Sequence, residues 1–143
     1  MINKNQKVSV IGLGYIGLPT AAIIAKNGYS VTGIDTNKEI IETIEKGKIH
    51  IVEPDLDKLV EEVVKDKSLT LSSDYVESDI FIIAVPTPLS KLREPDLTYV
   101  KAVVNSIASV LKSGNLIILE STVPVGTTEL LKEVLEIKRP DLN

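Results

Sequence analysis

Cysteine and tryptophan are both absent from this 143-residue chain, and histidine occurs once. Without cysteine there is no disulfide framework, no thiolate–zinc site and no cysteine nucleophile within these residues. Long apolar runs are missing too. None approaches the ~18 residues needed to cross a bilayer, and Met1-Ile2-Asn3-Lys4-Asn5-Gln6-Lys7 lacks the apolar core of a secretory signal. A cytoplasmic protein without membrane insertion is the expectation. Positive charge is neither abundant nor clustered: 16 Lys and Arg against 20 Asp and Glu leave a formal net charge of −4. Scattered cations argue against a nucleic-acid surface, and any anionic ligand must be held by local geometry rather than by the overall field.

What is present is an alternation of two rhythms. Val8–Ile11, Tyr29–Ile34, Ile80–Val85 and Leu116–Leu119 are short, nearly continuous and rich in Val and Ile, as suits strands buried on both faces of a parallel sheet. Leu69–Ser72 adds a fifth, shorter strand. Helical spacing fills the intervals: Gly17–Asn27 stopped by Gly28, Asn37–Lys46 stopped by Gly47, Asp55–Lys65 entered through Pro54, Asp96–Leu111, and Thr128–Ile137. Thr36 with Glu39 forms a capping-box pattern at the second helix. Strands alternating with helices of this length predict right-handed βαβ units and a doubly wound α/β sheet. Length and the lack of repeats or linker composition fit a single domain, residues 1–143. A complete sheet of this type has six strands in the order 3-2-1-4-5-6. The pattern here is expected to be an N-terminal portion, cut before the sixth strand.

Three constellations fall at strand ends. Gly12-Leu13-Gly14-Tyr15-Ile16-Gly17 follows the first strand and opens a helix. There Gly12 permits a tight turn, Gly14 lets backbone N–H groups reach a pyrophosphate, and Gly17 allows close helix packing. Such glycines also recur at turns for steric reasons, so the context matters. The second strand ends in Asp35, about 20 residues beyond the loop, where a ribose-binding acid is expected. A carboxylate there accepts from adenosine hydroxyls and repels a 2′-phosphate, which favours NAD over NADP. Asp35 also reads as a polar strand terminus, and Lys38 either as a ribose contact or as a solvated lysine. Ala84-Val85-Pro86-Thr87-Pro88 ends the fourth strand, with Thr87 held between prolines. Its hydroxyl either meets a cofactor ribose or belongs to a rigid loop. Glu120-Ser121-Thr122-Val123-Pro124-Val125-Gly126-Thr127-Thr128 gathers hydroxyls at the end of the fifth strand. Capping explains one of Thr127 and Thr128 but neither Ser121 nor Thr122. His50, without a partner motif, reads as structural or surface, and Lys91, Arg93 and Glu94 as a solvated loop bordering the site.

Taken together, Val10-Ile11-Gly12-Leu13-Gly14-Tyr15-Ile16-Gly17-Leu18-Pro19, Ala84-Val85-Pro86-Thr87-Pro88 and Ser121-Thr122-Val123-Pro124-Val125-Gly126-Thr127-Thr128 resemble the N-terminal, Rossmann-type NAD-binding domain of the UDP-glucose/GDP-mannose dehydrogenases. Ile49-His50-Ile51-Val52-Glu53-Pro54-Asp55-Leu56 and Glu94-Pro95-Asp96-Leu97-Thr98-Tyr99-Val100 resemble the branch that acts on UDP-N-acetyl-D-mannosamine for bacterial surface polysaccharide. The resemblance implies NAD as cofactor, used twice to oxidise a sugar C6 alcohol to a carboxylate through a thiohemiacetal on a cysteine. It carries cofactor contacts onto Tyr15, Ile16, Asp35, Thr87 and Thr128, and a water- and nicotinamide-orienting role onto Thr122. It places the cysteine, a catalytic lysine, the central dimer helix and the UDP-sugar domain beyond residue 143. The chain alone is then expected to be inactive in the overall oxidation, and its fifth strand to be an open edge prone to self-association. Two other readings share these residues: a standalone NAD(H)-binding regulatory module, and the cofactor domain of a 3-hydroxyacid or 6-phosphogluconate type dehydrogenase.

Overall fold

A computed structural model describes residues 5–90 and 93–142. Five parallel strands, β1 (Lys7–Ile11), β2 (Ser30–Ile34), β3 (Leu69–Ser72), β4 (Ile80–Ile83) and β5 (Leu116–Leu119), lie in the order β3-β2-β1-β4-β5. Every neighbouring pair is parallel, with Ile11 opposite Ile34 on one side and Ile83 on the other. Five helices connect them or follow them: α1 (Gly17–Lys26), α2 (Lys38–Glu45), α3 (Leu56–Lys65), α4 (Thr98–Ile107) and α5 (Thr127–Lys138). This is the doubly wound sheet that the alternating rhythms predict.

The period-2 alternation of each strand divides the core into two. Val8, Val10, Val31, Ile80 and Ile82 pack under α1, α2 and α3, where Leu18, Ala22, Ile44 and Val60 are fully buried. Ile11, Ile34, Phe81 and Ile83 pack on the opposite face against Val100, Val104 and Ile107 of α4 and Leu131 of α5. Ser9 shares the parity of Ile11 and is buried, and it exchanges a 2.7 Å hydrogen bond with the hydroxyl of Ser78. A buried hydroxyl left unpaired would cost about 1–3 kcal/mol. Among the described residues, no helix is long and apolar enough to cross a membrane.

Helix boundaries differ from the sequence expectation where local hydrogen bonds compete. The cap of α2 is Asn37, whose side chain accepts from Glu39 N at 3.0 Å, and not Thr36. Asp35 Oδ1 takes the Asn37 N–H at 2.9 Å and delays the helix by one residue. Helix α4 begins at Thr98 rather than Asp96, because Asp96 Oδ1 accepts from Thr98 N at 2.9 Å from outside the helix. It ends at Ile107 rather than Leu111, where Arg139 donates to the carbonyls of Ala108 and Leu111. Strand β4 stops at Ile83 rather than Val85, although Ala84 N still donates to Ile11 O at 2.8 Å. Gly28 and Gly47 adopt positive φ just beyond α1 and α2, as expected of helix-ending glycines.

Candidate functional site

The carboxyl ends of β2, β1, β4 and β5 open onto one cleft of about 720 Å³, within the usual range for small-molecule sites. Its floor is the turn after β1. Gly12, at φ 91°, donates to Ile34 O at 2.8 Å, and a Cβ there would stand 2.7 Å from the Ala84 carbonyl oxygen. A Cβ on Gly17 would fall 1.7 Å from Gly12 O, so the start of α1 lies directly against the turn. Gly14 is the opposite case, with no atom within 4 Å of such a Cβ. Two glycines are thus required by contact, and the third faces open space inside the cleft.

No side chain caps α1. Leu18 N and Thr20 N already donate to Gly14 O and Ile16 O at 3.1 Å and Pro19 has no N–H, so the backbone donors that the positive end of the helix dipole offers an anion lie in the turn leading into the helix. Asp35 supplies the complementary acceptor. Its Oδ2 accepts from Leu13 N at 2.9 Å and its Oδ1 from Asn37 N at 2.9 Å, so one carboxylate ties the glycine turn to the start of α2. Beyond Asp35 the wall becomes apolar, with Ile34, Ile40, Tyr75 and Val103.

At the other end, two loops are fastened together. Thr87 Oγ1 donates to Thr122 O at 2.7 Å, and Ser121 Oγ donates to Val85 O at 2.8 Å. Thr122, Glu120 and Thr87 all line the cleft. Thr127 is buried and turns its hydroxyl back to Pro124 O at 2.7 Å.

Most of the residues singled out in the sequence meet here: Gly12, Gly14, Tyr15, Ile16, Asp35, Thr87 and Thr122 line one cleft. Gly17 sits behind it as a packing contact, and Lys38 is exposed at the first position of α2, outside the lining. Thr128, one helical step of about 100° from Thr127, lines a separate cavity of about 420 Å³ between α4, β5 and α5. His50 is exposed in the bend between α2 and α3, flanked by the buried Ile51. Arg93 and Glu94 are exposed, and Lys91 lies outside the described residues. Sequence reading missed Tyr75, Tyr99 and Glu120 as lining residues. Glu120 alone carried a usable signal, a charged residue at the end of an apolar strand.

A glycine turn and an uncapped helix at the central strand, with an acid at the end of the next, define a Rossmann-type dinucleotide-binding domain. Residues 6–142 match the family model described as UDP-glucose/GDP-mannose dehydrogenase family, NAD binding domain, and the chain belongs to that family. A UDP-N-acetyl-D-mannosamine dehydrogenase from Campylobacter jejuni is 54% identical over 143 residues, covering 99% of this chain and 35% of that protein. An NDP-N-acetyl-D-galactosaminuronic acid dehydrogenase from Ralstonia nicotianae is 50% identical over 138 residues, 96% of this chain and 33% of that one. The solved structure of a UDP-D-ManNAc dehydrogenase from Pyrococcus horikoshii superposes with a TM-score of 0.90 at 42% identity, over 94% of this chain and 32% of that chain. The chain therefore spans about a third of the length of the curated relatives it matches.

Proposed function

We propose that this chain is the cofactor-holding part of a nucleotide-sugar 6-dehydrogenase, acting on UDP-N-acetyl-D-mannosamine or a close UDP-N-acetylhexosamine. The adenosine ribose rests on Asp35, the pyrophosphate on the turn of Gly12, Gly14, Tyr15 and Ile16, and the nicotinamide half between Thr87 and Thr122. The observation that carries this reading is the Asp35 carboxylate set 2.9 Å from Leu13 N. It puts a negative charge at the glycine turn, where a ribose diol is welcome and a 2′-phosphate is not. The relatives' names support the substrate class.

Bound NAD accepts hydride from the carbinol carbon; the residues here position it and shield it. Thr122, with its carbonyl already engaged by Thr87, is proposed to orient water beside the nicotinamide. No cysteine is present to form a thiohemiacetal, so the chain alone binds cofactor without completing the double oxidation. UDP-sugar binding and a homodimer belong, on this reading, to the part of the relatives' length that the chain does not span. A cytoplasmic location accompanies it. The open edge of β5, with Leu116 and Ile118 exposed, supports weak self-association of the chain itself.

Calorimetric titration tests the reading. NAD⁺ and NADH are expected to bind at one site per chain and NADPH far more weakly. Failure of both NAD forms to bind, or a preference for NADPH, overturns it.

A further inference from the structure

The charges lining the cleft are distributed unusually for a site that must hold a diphosphate. Among the described residues its lining contains two charged side chains, Asp35 and Glu120, and both are acidic. Asp35 lies at the end of β2 and Glu120 directly after β5. Those strands are three steps apart in the order β3-β2-β1-β4-β5, a span of about 14 Å at ~4.8 Å per strand. With adenosine at Asp35 and the pyrophosphate on α1, the nicotinamide falls at the β4 and β5 ends, on the Glu120 side.

Glu120 is held there. Its backbone N–H donates to Ile83 O at 2.9 Å, and Thr20 Oγ1 on α1 donates to its Oε1 at 3.3 Å. The following residue is fixed by the bond from Ser121 Oγ to Val85 O at 2.8 Å. Among the described residues no ion pair involves Glu120. Its negative charge is therefore available to whatever occupies that end of the cleft.

We infer that Glu120 sets the redox preference of cofactor binding, favouring NAD⁺ over NADH by placing a carboxylate beside the nicotinamide. The two cofactor forms differ there by one unit of charge: the oxidised ring is cationic, and the ring that has gained hydride is neutral. Asp35 and the glycine turn act alike on both forms and cannot discriminate between them. A carboxylate at the nicotinamide end attracts the first and not the second. For an enzyme that oxidises one substrate twice, this arrangement hastens exchange of spent NADH for NAD⁺ between the two steps. The inference rests on the proposed cofactor site.

The experiment compares binding of NAD⁺, NADH and ADP-ribose to the wild-type chain and to Glu120→Gln by calorimetry at low salt. The glutamine keeps the shape of the side chain and a partner for Thr20. A charge interaction across a water-exposed cleft is worth about threefold to tenfold in affinity, so the Kd(NADH)/Kd(NAD⁺) ratio is expected to fall by that factor in the variant. ADP-ribose, which lacks the nicotinamide, should bind both proteins equally. The wild-type ratio should also shrink as salt rises, since the carboxylate is exposed. Thr20→Val, which keeps the charge and frees the side chain, should change the ratio less than Glu120→Gln.

An unchanged ratio in Glu120→Gln, with ADP-ribose binding intact, overturns the inference and leaves the cofactor site standing. Loss of ADP-ribose binding in the variant also overturns it, because Glu120 would then be structural. Failure of the wild type to bind ADP-ribose or either form of NAD removes the cofactor reading itself.

Discussion

Asp35 Oδ2 accepts the backbone N–H of Leu13 at 2.9 Å, so the acid that ends β2 is bonded to the turn that ends β1. With its other oxygen on Asn37 N, the carboxylate holds two loops that approach the cleft from neighbouring strands. Its role therefore begins before any ligand arrives. The glycine turn is shaped in part by the same group that is proposed to receive the ribose, which links the phosphate and sugar subsites through one side chain.

Asp35→Ala removes both acceptors at once. Hydrogen bonds to a charged group contribute about 1.5–3 kcal/mol each, so NADH affinity is expected to fall at least about tenfold, with a lower unfolding temperature as the two loops loosen. Discrimination against NADPH should largely disappear, because the repelling charge is gone. Titration of both cofactors against the variant checks this, and undiminished selectivity for NADH would contradict it.

The glycines separate folding from binding. Gly17→Ala sets a methyl 1.7 Å from Gly12 O, a backbone atom that cannot swing away. The variant should be strongly destabilised, by more than the ~1–3 kcal/mol usual for overpacking. Gly14→Ala meets nothing within 4 Å and should unfold within a few degrees of wild type while losing most NADH affinity. Thermal unfolding and calorimetry on the pair give the answer. If Gly14→Ala binds normally, the open space at Gly14 is not ligand space.

The strand order was readable because both faces of this sheet are covered: Ile80–Ile83 is apolar without interruption and Val8–Ile11 is broken only by Ser9, and such runs admit few other arrangements. The convergence of Gly14, Asp35, Thr87 and Thr122 on one cleft follows from that order, since all four stand at carboxyl ends of strands or just beyond them. The cap of α2 was not readable. Thr36 and Asn37 are both good caps, and the choice was made by Asp35, which binds Asn37 N from outside the helix. The position of Tyr75 was not readable either: a tyrosine in a loop shows no periodicity, and its place follows from packing with the cluster on the α4 side of the sheet. Glu120, by contrast, carried a signal as a charged residue directly after an apolar strand, and the strand order brings it to the cleft.

Tyr75 gives a pH prediction. Burial pushes its phenol above the usual value of 10.0, with the negative charge of Asp35 acting in the same direction and a hydrogen bond with Ser106 opposing. A raised value means that the folded state favours the neutral phenol. The associated stability is fully present below the unfolded value near pH 10 and is lost as pH rises through the folded one. Ultraviolet titration should show a phenolate component that appears above pH 10 and that Tyr75→Phe removes. A high-pH component that survives unchanged in Tyr75→Phe would contradict it.

The edge strand gives the last prediction. Leu116 and Ile118 pair with Ile80 and Ile82 and share their face of the sheet, but whereas Ile80 and Ile82 are buried, Leu116 is 49% and Ile118 40% exposed. On that face the strand contacts of α1 fall mainly on β1, β2 and β3. An open strand edge beside two exposed aliphatic side chains is a template for pairing with another chain, and a lysine on such an edge opposes it by forcing charge into the contact. Light scattering of the wild-type chain should therefore show an average mass that rises with concentration, whereas Ile118→Lys should remain monomeric over the same range. Because the substituted side chain is exposed, the variant should keep its unfolding temperature to within about 0.5 kcal/mol of stability. A wild-type chain that stays a monodisperse monomer at the highest concentration reached would show that the edge is protected without help.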